Sequence, residues 1–263
     1  MSLTIDLNGK TALVTGSGGG IGAAIAKVFG IAGANVIVSD VNPTTTKETA
    51  SQLGAKALPL DVTDGEAVDA AISQIVKDHG SLDIIVNNAG IYNGYGGPIV
   101  DLERERFHAL MKVNVDGVFY CAQAAARVMI EAGNGGRIIN IASTQSISPG
   151  VGVSYDSSKA AVLQMTRTLA LELGKYDITA NAVAPGATWV AAPGDPPPID
   201  TAAAVPRTGE PLGDQVTSRI SRIPLGRWGR TEEIANVVAF VASPLASYVT
   251  GAYYNVDGGW LTL

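Results

Sequence analysis

The chain has 263 residues, enough for one large α/β domain or two small ones, and its 46% apolar and 16% charged content is that of a soluble globular protein with a sizeable core. A formal charge of −6 with no cluster of Lys and Arg excludes a nucleic-acid partner, because binding to a phosphate backbone rests on concentrated cations. A single cysteine, Cys121, excludes an intrachain disulfide, and residues 1–10 lack the apolar core behind a basic start that a secretion signal needs, so the chain is expected in the cytoplasm.

Short β-branched runs alternate with longer amphipathic stretches from the amino terminus, the pattern of βαβ units on a parallel sheet. Residues 11–14 predict the first strand; the glycine cluster from Gly16 to Gly22 follows, and Ile21, Ile25, Val28 and Phe29 then recur at helical spacing. Strands are expected at 35–39, 55–60, 82–86 and 136–142, each short and nearly all apolar, as suits strands covered on both faces. Helices are expected at 64–79, 101–130 and 153–173, the second bent or in two pieces, and the last two strands at 177–184 and 251–256. Seven strands in one continuous pattern, with no linker or repeat, predict a single doubly wound Rossmann-type domain over 1–263, a seven-stranded parallel sheet with helices on both faces.

Two stretches depart from this alternation. Residues 234–256 carry no formal charge and are long enough to span a bilayer, but Pro244 and Gly251 interrupt them and Ser243, Ser247, Thr250 and Asn255 make them polar, so a helix, a turn and a strand are expected and no membrane partner. Residues 186–224 contain Pro193, Pro196, Pro197, Pro198, Pro206 and Pro211, which preclude a long helix. A loop of that length in a compact domain is uncommon and usually functional, so it is expected to form a substrate lid.

A dinucleotide places two phosphates against the end of the first strand, where backbone N–H groups must come close and side chains would obstruct them. Gly16, Gly20 and Gly22 in Thr15-Gly16-Ser17-Gly18-Gly19-Gly20-Ile21-Gly22 meet that need, although the spacing is not G-x-G-x-x-G, and the following helix turns its positive end to the pyrophosphate. Asp40 ends the second strand eighteen residues beyond Gly22, where a carboxylate accepts hydrogen bonds from an adenosine ribose. A negative charge there repels the ribose phosphate of NADP, and neither Ser17 nor Val41 supplies a cation, so NAD is the expected cofactor.

Tyr155 and Lys159 lie four residues apart at the start of a predicted helix, which puts both on one face within reach of a common point. A tyrosine of pKa about 10 is a poor base at neutral pH; a neighbouring ammonium and an oxidised nicotinamide would each favour its phenolate. Ser143 follows the fifth strand twelve residues earlier, at the carboxyl edge where open α/β sheets bind ligands, and its hydroxyl can hold the oxygen that exchanges a proton with Tyr155.

These residues resemble the short-chain dehydrogenase/reductase family over nearly the whole chain. The resemblance includes Thr-Gly-x-x-x-Gly-x-Gly at 15–22, Asp61-Val62 as the adenine contact, and Asn87-Asn88-Ala89-Gly90 at the fourth strand. It also includes Asn114 as the asparagine that holds a water in a proton relay, and Pro185-Gly186 beside the nicotinamide. It implies that Gly16, Ser17, Gly20, Ile21 and Gly22 of the turn bind NAD together with Asp40, Asp61 and Val62, while Asn88, Ala89, Gly90, Pro185, Gly186 and Thr188 line the rest of the cofactor. Tyr155 then exchanges the proton, Lys159 lowers its pKa and binds the nicotinamide ribose, Ser143 positions the substrate, and hydride passes between nicotinamide and carbon. A homotetramer with the helices around 101–130 and 153–173 in its interfaces is also implied. Many members carry a threonine five residues after the proline of Pro-Gly; Val190 stands there, so either the hydroxyl of Thr188 or backbone groups alone fix the carboxamide.

The substrate-facing candidates are Thr144 and Gln145 after Ser143, Tyr92 and Tyr95 after Gly90, and Trp189 at the lid entrance; loop packing explains Tyr92, Tyr95 and Trp189 equally well. All are neutral, and no Arg or Lys is evidently placed to clamp an anion, so a neutral secondary alcohol or ketone is expected, cyclic, aromatic or polyol. Two other readings compete. A non-catalytic NAD-binding regulator is opposed by the intact Ser143, Tyr155 and Lys159, and a 3-oxoacyl thioester reductase, which would prefer NADPH and need a basic surface for its acidic carrier, is opposed by Asp40 and the net charge. His79 and His108 have no accompanying ligand pattern, so no metal is expected.

Overall fold

The computed structural model describes residues 4–92, 98–190 and 222–262. Its central sheet contains β1 (Thr11–Val14), β2 (Asn35–Asp40), β3 (Lys56–Pro59), β4 (Ile84–Asn87), β5 (Gly136–Ile141) and β6 (Ile178–Pro185). A separate parallel pair, β7 (Thr188–Trp189) and β8 (Gly229–Arg230), follows, and β9 (Tyr253–Val256) completes the large sheet. All seven strands of that sheet are parallel, in the order β3-β2-β1-β4-β5-β6-β9. The chain winds outward from β1 to β3 and then returns to β4, so the order reverses between β1 and β4, the place where such sheets open a ligand crevice.

The strand residues alternate between two cores, as the two-residue period of a strand requires. Ala12 and Val14 of β1 and Ile139 and Ile141 of β5 pack with Ile25 and Phe29 of α1 (Gly20–Ile31) and Ile234 and Val238 of α7 (Thr231–Ala242). Leu13 and Ile138 point to the opposite face, against Val68 and Ile72 of α3 (Gly65–His79), Cys121 and Met129 of α5 (Gly117–Ala132) and Ala170 of α6 (Val153–Leu173). Burying both faces explains why these strands read as nearly continuous apolar runs.

The structure adds one helix that apolar periodicity did not reveal, α2 (Pro43–Leu53), which buries only Thr46 and Ala50. It is held by its ends: the Asn42 side chain accepts from the N–H groups of Thr44 and Thr45, Pro43 occupies the first turn, and Gly54 closes it in the left-handed conformation. The stretch expected at 101–130 is divided, with α4 (Arg104–Met111) joined to α5 by a π-helical turn, Lys112–Asp116. The 234–256 stretch forms most of α7, a turn and β9, and no helix among the described residues is long and apolar enough to cross a membrane. Of the expected lid, residues 191–221 lie outside the described residues, as does Tyr95.

Candidate active site

A cavity of about 1080 Å³ opens along the carboxyl ends of β1, β4, β5 and β6. One wall is the turn between β1 and α1, contributed by Gly16, Gly19, Ile21 and Gly22, with Asp40, Asp61 and Val62 beside it. Gly16 has φ +61°, and a Cβ on it would lie 2.7 Å from the Cα of Ala89; a Cβ on Gly22 would lie 2.5 Å from the Nδ2 of Asn88. Glycine is therefore dictated at both places by the turn's contact with the end of β4 as well as by room in the crevice.

Several residues assigned to the cofactor from sequence have their side chains turned elsewhere. The Ser17 hydroxyl is buried, donates to the Val14 carbonyl at 2.7 Å and accepts from the Ser39 N–H at 2.9 Å, so it rivets β1 to β2. Asn88 lines the crevice, but its amide donates to the carbonyls of Thr15 and Gly16. Gly20 faces Val190, whose Cγ1 is 3.1 Å from where a Cβ would stand. Asp40 does border the crevice: one carboxylate oxygen accepts from Gly18 N–H at 3.2 Å and the other from Asn42 N–H at 3.1 Å, leaving further lone pairs.

Ser143, Tyr155 and Lys159 line the same cavity. Helix α6 sets Tyr155 and Lys159 one turn apart, with the ammonium 5.8 Å from the centre of the phenol ring. The Lys159 ammonium donates to the Ile141 carbonyl at 2.8 Å, and burial pulls its pKa down to about 8. Burial likewise raises the Tyr155 phenol above its ordinary value, outweighing a hydrogen bond with Ser143 that lowers it; Tyr92 and Asp156 push the same way as burial. The expectation that Lys159 depresses the phenol is thus not realised by the protein alone. Desolvation disfavours both charged forms, and it dominates here.

Asn114 sits buried in the π-helical turn, away from the cavity wall. Its Oδ1 accepts from Ile91 N–H at 2.8 Å, and both amide protons are engaged, by the Ile91 carbonyl at 3.0 Å and Ser158 Oγ at 3.1 Å. Its side chain therefore ties the loop after β4 to α6 beside Lys159. Gly90 permits this approach, since a Cβ there would be 3.3 Å from Asn114 Oδ1 and 3.6 Å from Lys159 Nζ.

Comparison with known proteins gives the same picture. A family model described as enoyl-(acyl carrier protein) reductase matches residues 16–261. Sorbitol dehydrogenase of Cereibacter sphaeroides is 39% identical over 97% of this chain and 99% of its own. A 2-dehydro-3-deoxy-D-gluconate 5-dehydrogenase of Dickeya dadantii is 36% identical over 98% of both chains. The crystal structure of a short-chain type dehydrogenase/reductase from Mycobacterium marinum, 36% identical, superposes with a TM-score of 0.85 over 97% of each chain. The chain belongs to the short-chain dehydrogenase/reductase family.

As a short-chain dehydrogenase/reductase the protein is an oxidoreductase enzyme, and the rest of its cavity is where the substrate end must be sought. Thr144 and Gln145 line it, and Gln145 Oε1 accepts from Ser143 Oγ at 2.6 Å and from Thr144 Oγ1 at 3.1 Å. Tyr92 also lines it and meets Tyr155 edge to face, ring centres 6.0 Å apart. Pro185, Gly186 and Thr188 border it, with the Thr188 hydroxyl donating to the Gly186 carbonyl at 3.1 Å. Trp189 stands just behind, packed edge to face on Trp228 at 6.2 Å.

Sequence reasoning missed Trp228, Trp260, Arg222 and Lys112, all of which line the cavity. The Arg222 guanidinium lies 4.8 Å over the Trp260 ring, so a cation does stand at this crevice, contrary to expectation. No motif marks these residues; Arg222 falls at the end of the long loop, Trp228 and Trp260 follow it, and only the fold returns that segment to the sheet's carboxyl edge. The aromatic character of Trp228 and Trp260 was the one available signal.

Proposed function

We propose that the protein is an NAD-dependent dehydrogenase of a neutral secondary alcohol, a polyol foremost, working also on the corresponding ketone. The observation that carries this reading is that Ser143, Tyr155 and Lys159 line one cavity with the glycine turn and Asp40. The residues present suit a dinucleotide: a turn in which Gly16 and Gly22 leave no room for a Cβ, a carboxylate with free lone pairs at the end of β2, and apolar Val62 beyond it. NAD is favoured over NADP because the Asp40 charge would repel a ribose phosphate. When bound, the oxidised nicotinamide would accept hydride from the substrate carbon and bring positive charge close to the phenol.

The chain's own groups handle the proton. Ser143 Oγ holds the substrate oxygen, and Tyr155 removes its proton during oxidation or returns one during reduction. Burial alone keeps the Tyr155 phenol protonated, so base action depends on cationic neighbours. Lys159, with a pKa of about 8, is mostly charged at neutral pH and supplies one of them. Asn114 acts behind them by tying the Ile91 backbone to Ser158 of α6. Thr144, Gln145, Tyr92 and Trp228 offer a neutral wall to the substrate, and the 39% identical relative named sorbitol dehydrogenase supports a polyol.

A second reading, a substrate carrying a carboxylate, is favoured by Arg222 and by the 36% identical 2-dehydro-3-deoxy-D-gluconate 5-dehydrogenase. Initial rates with alditols, ketoses and hydroxy acids, each with NAD and NADP in parallel, separate the two. Activity confined to anionic substrates removes the neutral reading, and faster turnover with NADP removes the cofactor assignment. Tyr155→Phe is expected to bind NAD while losing turnover; near-parental turnover would remove the mechanism.

A homotetramer in the cytoplasm completes the proposal. Apolar Phe119 and Ile130 of α5 and Val153 and Leu171 of α6 are exposed, Leu171 at 85%, as helices awaiting neighbouring subunits would show. Sedimentation at a monomer's mass would remove it.

A further inference from the structure

Ser143 lies just past the end of β5, where the strand ladder no longer fixes the chain. Ala142 N–H still donates to the Val183 carbonyl at 2.8 Å; beyond it the Ser143 carbonyl accepts the turn bond from Ser146 N–H at 2.9 Å, and side chains supply the rest of the grip on the Ser143 peptide groups. Its N–H donates to Ser146 Oγ at 3.3 Å, and its carbonyl accepts from the Tyr253 phenol at 2.8 Å. Ser146 in turn donates to the Lys159 carbonyl at 2.9 Å, which joins the same loop to the helix that carries Tyr155 and Lys159.

Tyr253 is an unexpected source for this bond, because β9 does not adjoin β5; β6 lies between them. The way across exists because β6 presents Ala182 and Ala184, which with Ala142 and Leu163 form a small apolar patch against which the Tyr253 ring packs. Ala182 is paired directly with Tyr253 in the sheet. Larger residues at 182 or 184 would fill that path. The ring is thus seated by packing, and its hydroxyl is the only part that touches the catalytic loop through a hydrogen bond.

We propose that Tyr253 is a positioning residue, which holds the Ser143 carbonyl and thereby sets the angle at which the Ser143 hydroxyl meets the substrate oxygen. The role rests on the Ser143, Tyr155 and Lys159 reading given above. Ser143 Oγ already has a competing acceptor in Gln145 Oε1 at 2.6 Å, so a loop whose Ser143 carbonyl keeps only the turn bond from Ser146 N–H would settle toward Gln145 and loosen its bond with Tyr155. The Tyr253 phenol suits a permanent donor, since burial pushes its pKa up to about 12 and it keeps its proton throughout the working range.

Tyr253→Phe keeps the ring and removes the donor. The expected result is NAD affinity within about twofold of the parent by calorimetry, kcat lower by about tenfold, and the rising limb of kcat/KM moved to higher pH, because the Ser143 bond that lowers the Tyr155 phenol is weakened. In a Ser143→Ala background the same change should have almost no further effect, since residues acting through one another are not additive. A kcat within about twofold of the parent overturns the role, as does a loss with the limb unmoved or an equal loss in the Ser143→Ala background. Parental turnover in Ser143→Ala alone would instead remove the site reading, and this role with it. A fluorinated tyrosine at 253 serves if the phenylalanine form does not accumulate: its more acidic phenol cannot donate once ionised, so turnover must fall reversibly at alkaline pH, and a profile identical to the parent's overturns the role.

Discussion

The Asn88 amide donates to the carbonyls of both Thr15 and Gly16, at 2.9 and 2.8 Å, so one side chain from the end of β4 pins two successive peptides of the nucleotide turn. The Asn88 and Ala89 N–H groups close the joint from the other side by donating to Thr15 Oγ1, each at 3.1 Å. Asn88→Ala should leave those carbonyls without their donor and lower stability by about 1–3 kcal/mol. NAD affinity should fall about tenfold while kcat at saturation changes little, because the turn loosens and the reacting groups do not. Urea unfolding and calorimetric titration check the two halves separately.

Lys159 gives stability a pH signature. Its pKa falls from 10.5 to about 8 on folding, so between those values the unfolded chain binds more protons and the folded form gains stability as pH rises. The penalty is full below pH 8 and relieved by pH 10.5. Relative to Lys159→Met, the parent should gain up to about 3 kcal/mol across that window, measured by denaturant unfolding at each pH. A difference that stays flat with pH would show that the amine is not desolvated.

Asp40→Ser should narrow the proposed preference for NAD. With the carboxylate gone, the penalty on a ribose phosphate disappears, and the ratio of kcat/KM with NADP to that with NAD should rise at least about tenfold. The Gly18 and Asn42 N–H groups that Asp40 now engages would remain to meet the phosphate.

Arg222→Gln distinguishes the two substrate readings. For a neutral polyol, kcat/KM should change less than about threefold, whereas loss of a cation facing a carboxylate should cost about a hundredfold with an acidic substrate. Rates for one alditol and one hydroxy acid, before and after the change, decide it.

Glu233→Gln tests the loop that carries Trp228. Arg227 donates to both Glu233 oxygens, at 2.9 and 2.5 Å, and with the Arg230 N–H holds that carboxyl down at about 2. The pair is partly exposed, so its stability effect should stay under about 1 kcal/mol, present above pH 4.5 and fading as pH falls toward 2. The larger expected effect is a several-fold rise in KM for the substrate with NAD affinity unchanged, as Trp228 loses its fixed place.

What the sequence revealed were features with short-range spacing. The short apolar strand runs, the glycine turn, Asp40 at a strand end and the four-residue interval from Tyr155 to Lys159 all place side chains through local geometry, and the last three features meet at one crevice. Helix α2 was hidden because its sequence is polar nearly all round, although Asn42, Pro43 and Gly54 marked its two ends. Ser17 and Asn88 were assigned to ligand contact, yet their polar atoms serve neighbouring strands, a matter decided by pairing partners 22 and 72 or 73 residues away. Tyr253 meets Ser143 across 110 residues and over an intervening strand, a contact without any local mark. The phenol's direction of shift was missed for a different reason: burial of Tyr155 and Lys159 disfavours both charged forms, and burial depth is a property of the whole packing.

The chain has three tryptophans, and they gather at one mouth: Trp228 and Trp260 in the cavity wall, with Trp189 braced against the former. All of the molecule's indole emission therefore originates within that single neighbourhood. A change in its colour or intensity during turnover reports on events at that mouth, and the protein needs no attached dye to follow them.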